Sequence, residues 1–165
     1  MKYIAIIITY VLVNNFILTQ FMGLCPFIGV SRNVENAIGM GFALTFTTTL
    51  ASIVTWAVQH FILVPLHIEF LQTISFILVI AGLVQFIEIV IQRISPPLYK
   101  ALGIYLPLIT TNCIVLGIAV LNVRNEYDAL GSFLAGLSAG LGFLLAIILM
   151  STIREKLDFE WIPKP

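Results

Sequence analysis

An all-α, polytopic membrane bundle is the fold class this sequence predicts, and three observations lead to it. First, 60% of the 165 residues are hydrophobic and 10% are charged, and mean hydropathy is +1.08. A soluble domain is roughly 45–50% apolar and about 25% charged. So few charges cannot cover a globule, and a disordered chain needs the opposite composition. Second, the charges leave long uncharged gaps, as between Lys2 and Arg32 or Glu35 and Glu69. Each gap is near the ~20 residues that a spanning helix needs. Third, these stretches lack the alternation and the roughly 10-residue length of barrel strands. Lipid leaves only helices and closed barrels able to pair their backbone. A formal net charge of zero gives no basic surplus for nucleic acid and no polybasic membrane anchor.

Taken in chain order, the gaps predict spans near 3–24, 37–64, 70–91, 101–123 and 129–153 in a single integral membrane domain, 1–165. The first is too long for a cleaved signal peptide, lacks a small-residue cleavage site and runs on past Cys25. Lys2 and Arg124 fall on one side; Arg32, Arg93, Lys100, Arg154, Lys156 and Lys164 fall on the other. The positive-inside bias then predicts the N-terminus outside and the residues after Ile153 in the cytoplasm. The short loops leave no room for a nucleotide fold or a catalytic head.

Two stretches share a frame. Gly23-Leu24-Cys25-Pro26-Phe27-Ile28-Gly29 and Thr111-Asn112-Cys113-Ile114-Val115-Leu116-Gly117 each place a cysteine four residues before a glycine. Gly39-Met40-Gly41-Phe42 resembles Gly140-Leu141-Gly142-Phe143 in the spans that follow. The order predicts a duplicated unit, repeat one about 1–97 and repeat two about 98–165. Three spans per repeat make the two enter the membrane from opposite sides, as in transporters. The second repeat shows two spans, so this chain is expected to lack the third helix of that repeat.

Both frames predict a broken helix. Gly23, Pro26 and Gly29 surround Cys25, and Pro107 with Thr110, Thr111 and Asn112 leads to Cys113. Proline removes a backbone donor and crowds the preceding turn. Irregular backbone at membrane depth survives where protein buries it or where it lines a cavity, so each cysteine is expected inside the protein and away from lipid. The thiols have three readings: small buried fillers, a disulfide, or metal ligands. An iron–sulfur cluster generally takes four thiolates, so two would require a second chain with two more. Asn14 and Asn15 are costly inside a span unless they bond across helices. Glu88, near the end of the third span, is interfacial or an ion-pathway group. Thr45, Thr47, Thr48 and Thr49, and the Gly131–Gly142 stripe, predict close helix packing. No catalytic triad, phosphate loop or acid–base carboxylate pair is present, so no complete active site is expected on this chain alone.

These residues also carry a resemblance. The stretch from Asn14 to Ser31 (N-N-F-I-L, then G-L-C-P-F-I-G-V-S) and that from Leu102 to Cys113 (L-G-I-Y-L-P-L-I-T-T-N-C) resemble the first- and fourth-helix signatures of the Rnf and Nqr membrane-subunit family. I-S-P-P-L-Y before the second and I-R-E-K-L near the C-terminus fit as well. Asn14-Asn15 and Pro26 place the resemblance with the A-type component of the Rnf complex, ahead of the E-type component of sodium-pumping NADH:quinone reductase. The resemblance implies a six-helix subunit of the bacterial inner membrane. Its partners would be a homologous subunit of opposite orientation, the Rnf E-type component, and the other Rnf subunits. A [2Fe–2S] cluster would be shared between the homologous pair, with Cys25 and Cys113 as this chain's ligands and Asn14, Asn15, Thr111, Asn112 and Glu88 as candidate surroundings or ion-pathway groups. The complex would be a translocase coupling ferredoxin:NAD oxidoreduction to Na+ or H+ transport. A small secondary transporter and a purely structural scaffold are the competing classes.

Overall fold

The computed structural model describes residues 2–31, 34–66, 69–94, 109 and 112–160. Helix α1 (Lys2–Ile8) runs into a π turn (Thr9–Val13). Two short helices follow, α2 (Phe16–Gln20) and α3 (Leu24–Val30). Then come α4 (Val34–Val58) with a π turn (Gln59–Leu63), α5 (Val64–Leu66), a 3-10 turn (Glu69–Leu71) and α6 (Gln72–Ile94). The described chain closes with α7 (Cys113–Arg124) and α8 (Ala129–Glu160).

Among the described residues, three helices are long and apolar enough to cross a bilayer: Val34–Leu63, Gln72–Val90 and Ala129–Leu157. They match the predicted second, third and fifth spans to within a few residues. The first predicted span is interrupted, as the broken-helix reading expects, and of the fourth only residues 109 and 112–123 are described. Tyr3–Val13 and Cys113–Arg124 are shorter apolar helices, and at 1.5 Å per residue neither crosses ~30 Å of hydrocarbon by itself.

The cause is local chemistry. The Asn15 side chain accepts a hydrogen bond from the Ile17 N–H (3.1 Å) and so caps α2. Asn112 does the same for Ile114 N–H (3.0 Å) at the start of α7. A capping asparagine starts a helix and therefore interrupts a longer one. In the first segment, α2 ends on Phe21 in the left-handed region (φ 55°) and α3 begins after Gly23 (φ +81°). Pro26, expected to break the helix, lies in the first turn of α3, where a missing N–H costs nothing. The break is made by Phe21 and Gly23.

The centre of the bundle is the antiparallel crossing of α4 and α8. A Cβ at Gly140 would lie 2.5 Å from Thr45 Cα, and one at Gly136 would lie 2.7 Å from Ser52 Cβ. The backbones touch because these positions carry no side chain. Thr48 Oγ1 donates to the Gly136 carbonyl (3.2 Å) and Ser52 Oγ to the Ser132 carbonyl (2.8 Å). Thr45, Thr47 and Thr49 donate back to carbonyls one turn earlier. The span-two hydroxyls are therefore packing groups. The contact is reciprocal: a Cβ at Gly41 would meet Leu144 and one at Gly140 would meet Thr45, so one offset of 99 residues carries 41 to 140 and 45 to 144.

The N-terminal segment packs beside α8. Tyr10 Oη accepts from Asn125 Nδ2 (3.3 Å), Asn15 Nδ2 donates to the Gly142 carbonyl (2.8 Å), and Arg154 Nη1 donates to the Ile28 carbonyl near the end of α3 (3.0 Å). Phe16 stacks on Tyr10 with ring centroids 5.7 Å apart, and Phe76, Phe143, Met40 and Leu44 fill the core. Phe42, Phe46, Leu78 and Phe86 face outward; so many exposed large apolar side chains suit acyl chains or partner helices. Asn15 satisfies two helix ends at once. Asn15→Leu removes a cap worth about 1 kcal/mol and strips a buried bond worth about 1 kcal/mol more. It is expected to lower the thermal midpoint of the detergent-solubilised protein, and Asn15→Ser, which keeps a capping oxygen without burying a charge, should lower it less.

Candidate functional site

The interrupted helices bring the two cysteine segments together. Cys113 is the first residue of α7, and Cys25 is the second of α3. The Gly23 N–H, two residues before Cys25, donates to Cys113 Sγ at 2.9 Å. That bond links positions 90 residues apart and needs Gly23. Its φ of +81° is one that L side chains rarely adopt, and a Cβ there would sit 2.5 Å from the buried Ile114 Cδ1. Gly23→Ala combines backbone strain with overpacking, each of order 1–3 kcal/mol. It should lower the thermal midpoint of the protein by several degrees, read by a melt in detergent.

Both thiols are free, and both are exposed on the isolated chain. Their expected burial is corrected: each lies in the first turn of a helix at the chain's surface, while Asn112, the cap beside Cys113, turns inward. Asn112 is 4% exposed. Its Oδ1 is committed to the Ile114 N–H, which leaves Nδ2 a buried donor without a hydrogen-bond partner among the described residues. A Cβ on Gly23 would lie 3.4 Å from Asn112 Oδ1, so this amide adjoins the cysteine pair. The site therefore comprises two accessible soft ligands, one backbone N–H already aimed at a sulfur, and one unused amide donor.

The other predicted residues divide. Asn15 is buried and structural, and Asn14 is exposed at the end of the π turn. Glu88 is half-buried on α6. Thr111 and Pro107 lie outside the described residues. A second local match joins the two segments: Asn15-Phe16-Ile17 and Asn112-Cys113-Ile114 share the capping geometry. Cys25 stands further along its own segment, beyond the second break. The Asn-x-Ile pair preceding an apolar run is the sequence signal for this geometry.

No cluster of three or more His, Cys, Asp or Glu side chains able to hold a metal occurs among the described residues. Two exposed thiols make half of a four-thiolate set, and their exposure leaves room for a second chain to supply the rest. To that extent the residues fit a shared iron–sulfur group.

Fold and site together define a polytopic helical membrane protein whose broken helices carry a pair of surface thiols. Over residues 3–163 the sequence matches the family described as Rnf-Nqr subunit, membrane protein, and the chain belongs to that family. It is 54% identical over 164 residues to the A-type component of the Na(+)-translocating ferredoxin:NAD(+) oxidoreductase complex of Acetobacterium woodii, covering 99% of this chain and 85% of that one. It is also 54% identical to the A-type component of the ion-translocating oxidoreductase complex of Serratia proteamaculans, with the same coverage. The corresponding Vibrio vulnificus protein is 52% identical over 164 residues, again 99% of this chain and 85% of the relative.

Proposed function

We propose that this chain is the A-type membrane component of an ion-translocating oxidoreductase complex. In this reading Cys25 and Cys113 supply two of the four thiolates of a [2Fe–2S] cluster, and a homologous membrane subunit of opposite orientation supplies the other two. The observation that carries it is the Gly23 N–H bond to Cys113 Sγ, which holds the two cysteine segments side by side where a partner can reach them. The A-type relatives, at 52–54% identity, support it.

The chemistry such a cluster supplies is one-electron transfer. The rest belongs to this chain. Gly23 N–H is a hydrogen-bond donor already placed on Cys113 Sγ, and hydrogen bonds to the sulfurs are among the features that set a cluster's potential. Asn112 Nδ2, buried and unused, is a second donor beside the pair. Such donors orient ligands and tune a metal site. The apolar helices around the site keep bulk water away from it once the partner chain covers the exposed face. The reciprocal α4/α8 contacts favour a duplicated unit, and two halves related in this way, inserted in opposite senses, suit a protein that meets both membrane faces. We place the chain in the bacterial inner membrane, N-terminus outside, from its Lys and Arg distribution. The complex would pass electrons between ferredoxin and NAD and move Na+ or H+. Coupling requires that the two redox states favour different helix arrangements.

The test is electron paramagnetic resonance of the reduced complex. A cluster signal present with the wild-type chain and absent with Cys25→Ala supports the assignment; a signal of undiminished amplitude in that variant rejects it.

A further inference from the structure

The Ile153–Leu157 stretch near the end of α8 is remote in sequence from both cysteines. The fold nevertheless brings Arg154 to the helix that carries Cys25. Arg154 Nη1 donates to the Ile28 carbonyl at 3.0 Å, across 126 positions of sequence.

What α3 rests on decides what that bond does. The helix is seven residues long, well under the ~12–15 residues that a helix needs to hold its own shape in water. Its position is therefore set by what it touches. Pro26 and Val30 are buried, and Leu24 and Phe27 pack against the core. Cys25, Ile28 and Gly29 are exposed. Residues three apart lie on one side of a helix, so Cys25 and Ile28 share the exposed edge. Apolar contact grips the other edge and leaves α3 able to roll about it, a motion that displaces the Cys25 edge most. Among the described residues, two long-range hydrogen bonds oppose the roll. Gly23 N–H on Cys113 Sγ ties the N-terminal end, and Arg154 on the Ile28 carbonyl ties the C-terminal end.

The second tie has clear chemical grounds. The last four carbonyls of a helix have no partner within it, and Ile28 belongs to that last turn of α3. An arginine there satisfies an orphan acceptor and meets the negative end of the helix dipole. A charged donor also makes a stronger bond than a neutral one. Arg154 stands on a fixed element: Ser151, three residues earlier, is fully buried, and α8 lies against α4 at Gly136 and Gly140. The bond thus refers the exposed edge of α3 to the centre of the bundle.

We propose that Arg154 is a positioning residue for Cys25, fixing the direction in which its thiol is presented to a partner chain. Groups behind a ligand orient it and tune the metal it holds. The purpose of this arrangement rests on Cys25 being a cluster ligand; its geometry does not.

The experiment uses the full chain in lipid nanodiscs. Cys113→Ser keeps an acceptor for Gly23 N–H and leaves Cys25 as the single thiol, which takes a methanethiosulfonate nitroxide. Arg154→Gln should narrow the central line of the nitroxide spectrum, as the edge of α3 gains freedom. Arg154→Lys, which restores a charged donor, should recover most of the original width. The same nitroxide on Leu130→Cys, at the other end of α8 in a chain without either native thiol, should not respond to Arg154→Gln. In the assembled complex, Arg154→Gln should shift the g-values of the reduced cluster while iron content stays at the wild-type level. Two results would overturn the proposal: a Cys25 line of unchanged width in Arg154→Gln, or equal narrowing at Leu130 and Cys25, which is general loosening of the bundle. A wild-type complex without iron would instead remove the cluster reading, and the nitroxide comparison, made without iron, would still decide the role of Arg154.

Discussion

Cys113→Ser in the assembled complex should abolish ferredoxin-dependent NAD reduction while the complex still assembles. The serine hydroxyl can still accept the Gly23 N–H bond that Cys113 Sγ accepts at 2.9 Å, so the contact between α3 and α7 survives. What is lost is a soft thiolate, the ligand type that iron–sulfur clusters require. Cys25→Ala should have the same outcome at still lower structural cost, because Cys25 is exposed and contributes no core packing. Turnover is expected to fall to background in both variants, with complex yield near that of wild type. If the thiols were only space-filling, both variants would retain turnover, since replacing an exposed side chain in a helix's first turn disturbs little.

Gly140→Leu is expected to prevent the chain from accumulating at all. A Cβ alone at that position would lie 2.5 Å from Thr45 Cα and 2.8 Å from Thr45 Cβ, and the obstacle is backbone that no rotamer change can move. Overpacking a tight core costs typically about 1–3 kcal/mol and more where nothing can yield, and leucine adds a whole side chain against backbone at one of the closest approaches between α4 and α8. Stability of the order of 5–15 kcal/mol is then mostly consumed. Membrane fractions probed for the chain should show severe depletion for Gly140→Leu and a milder loss for Gly140→Ala. Gly29→Ala, where a Cβ would meet nothing within 4 Å, should accumulate normally.

Charge spacing alone locates α4, α6 and α8, because a membrane span is a long-range property that composition records directly. It does not show where the first span is interrupted, because an asparagine in an apolar run has two meanings. Asn15 is interhelical glue, as its place in the sequence predicts, through the Gly142 carbonyl. It is also a helix cap, and the cap splits the span. Proline chemistry points to Pro26, whereas Phe21 and Gly23 make the break, since a positive φ at a phenylalanine has no sequence signature. Irregular backbone at membrane depth is ordinarily buried in protein or lines a cavity, which is why the sequence predicts interior cysteines. Their exposure is a property of one chain taken without partners, and a single sequence does not record which faces a second chain covers.

The most direct measurement is iron and acid-labile sulfide, determined on this chain purified alone and on its complex with the homologous membrane partner. Two thiols per chain should leave the isolated protein free of a stable cluster, and the pair should hold equimolar iron and sulfide amounting to one [2Fe–2S] group, lost when either Cys25 or Cys113 is replaced. Iron and sulfide absent from the intact pair, or present in full after both replacements, would contradict the shared-ligand site.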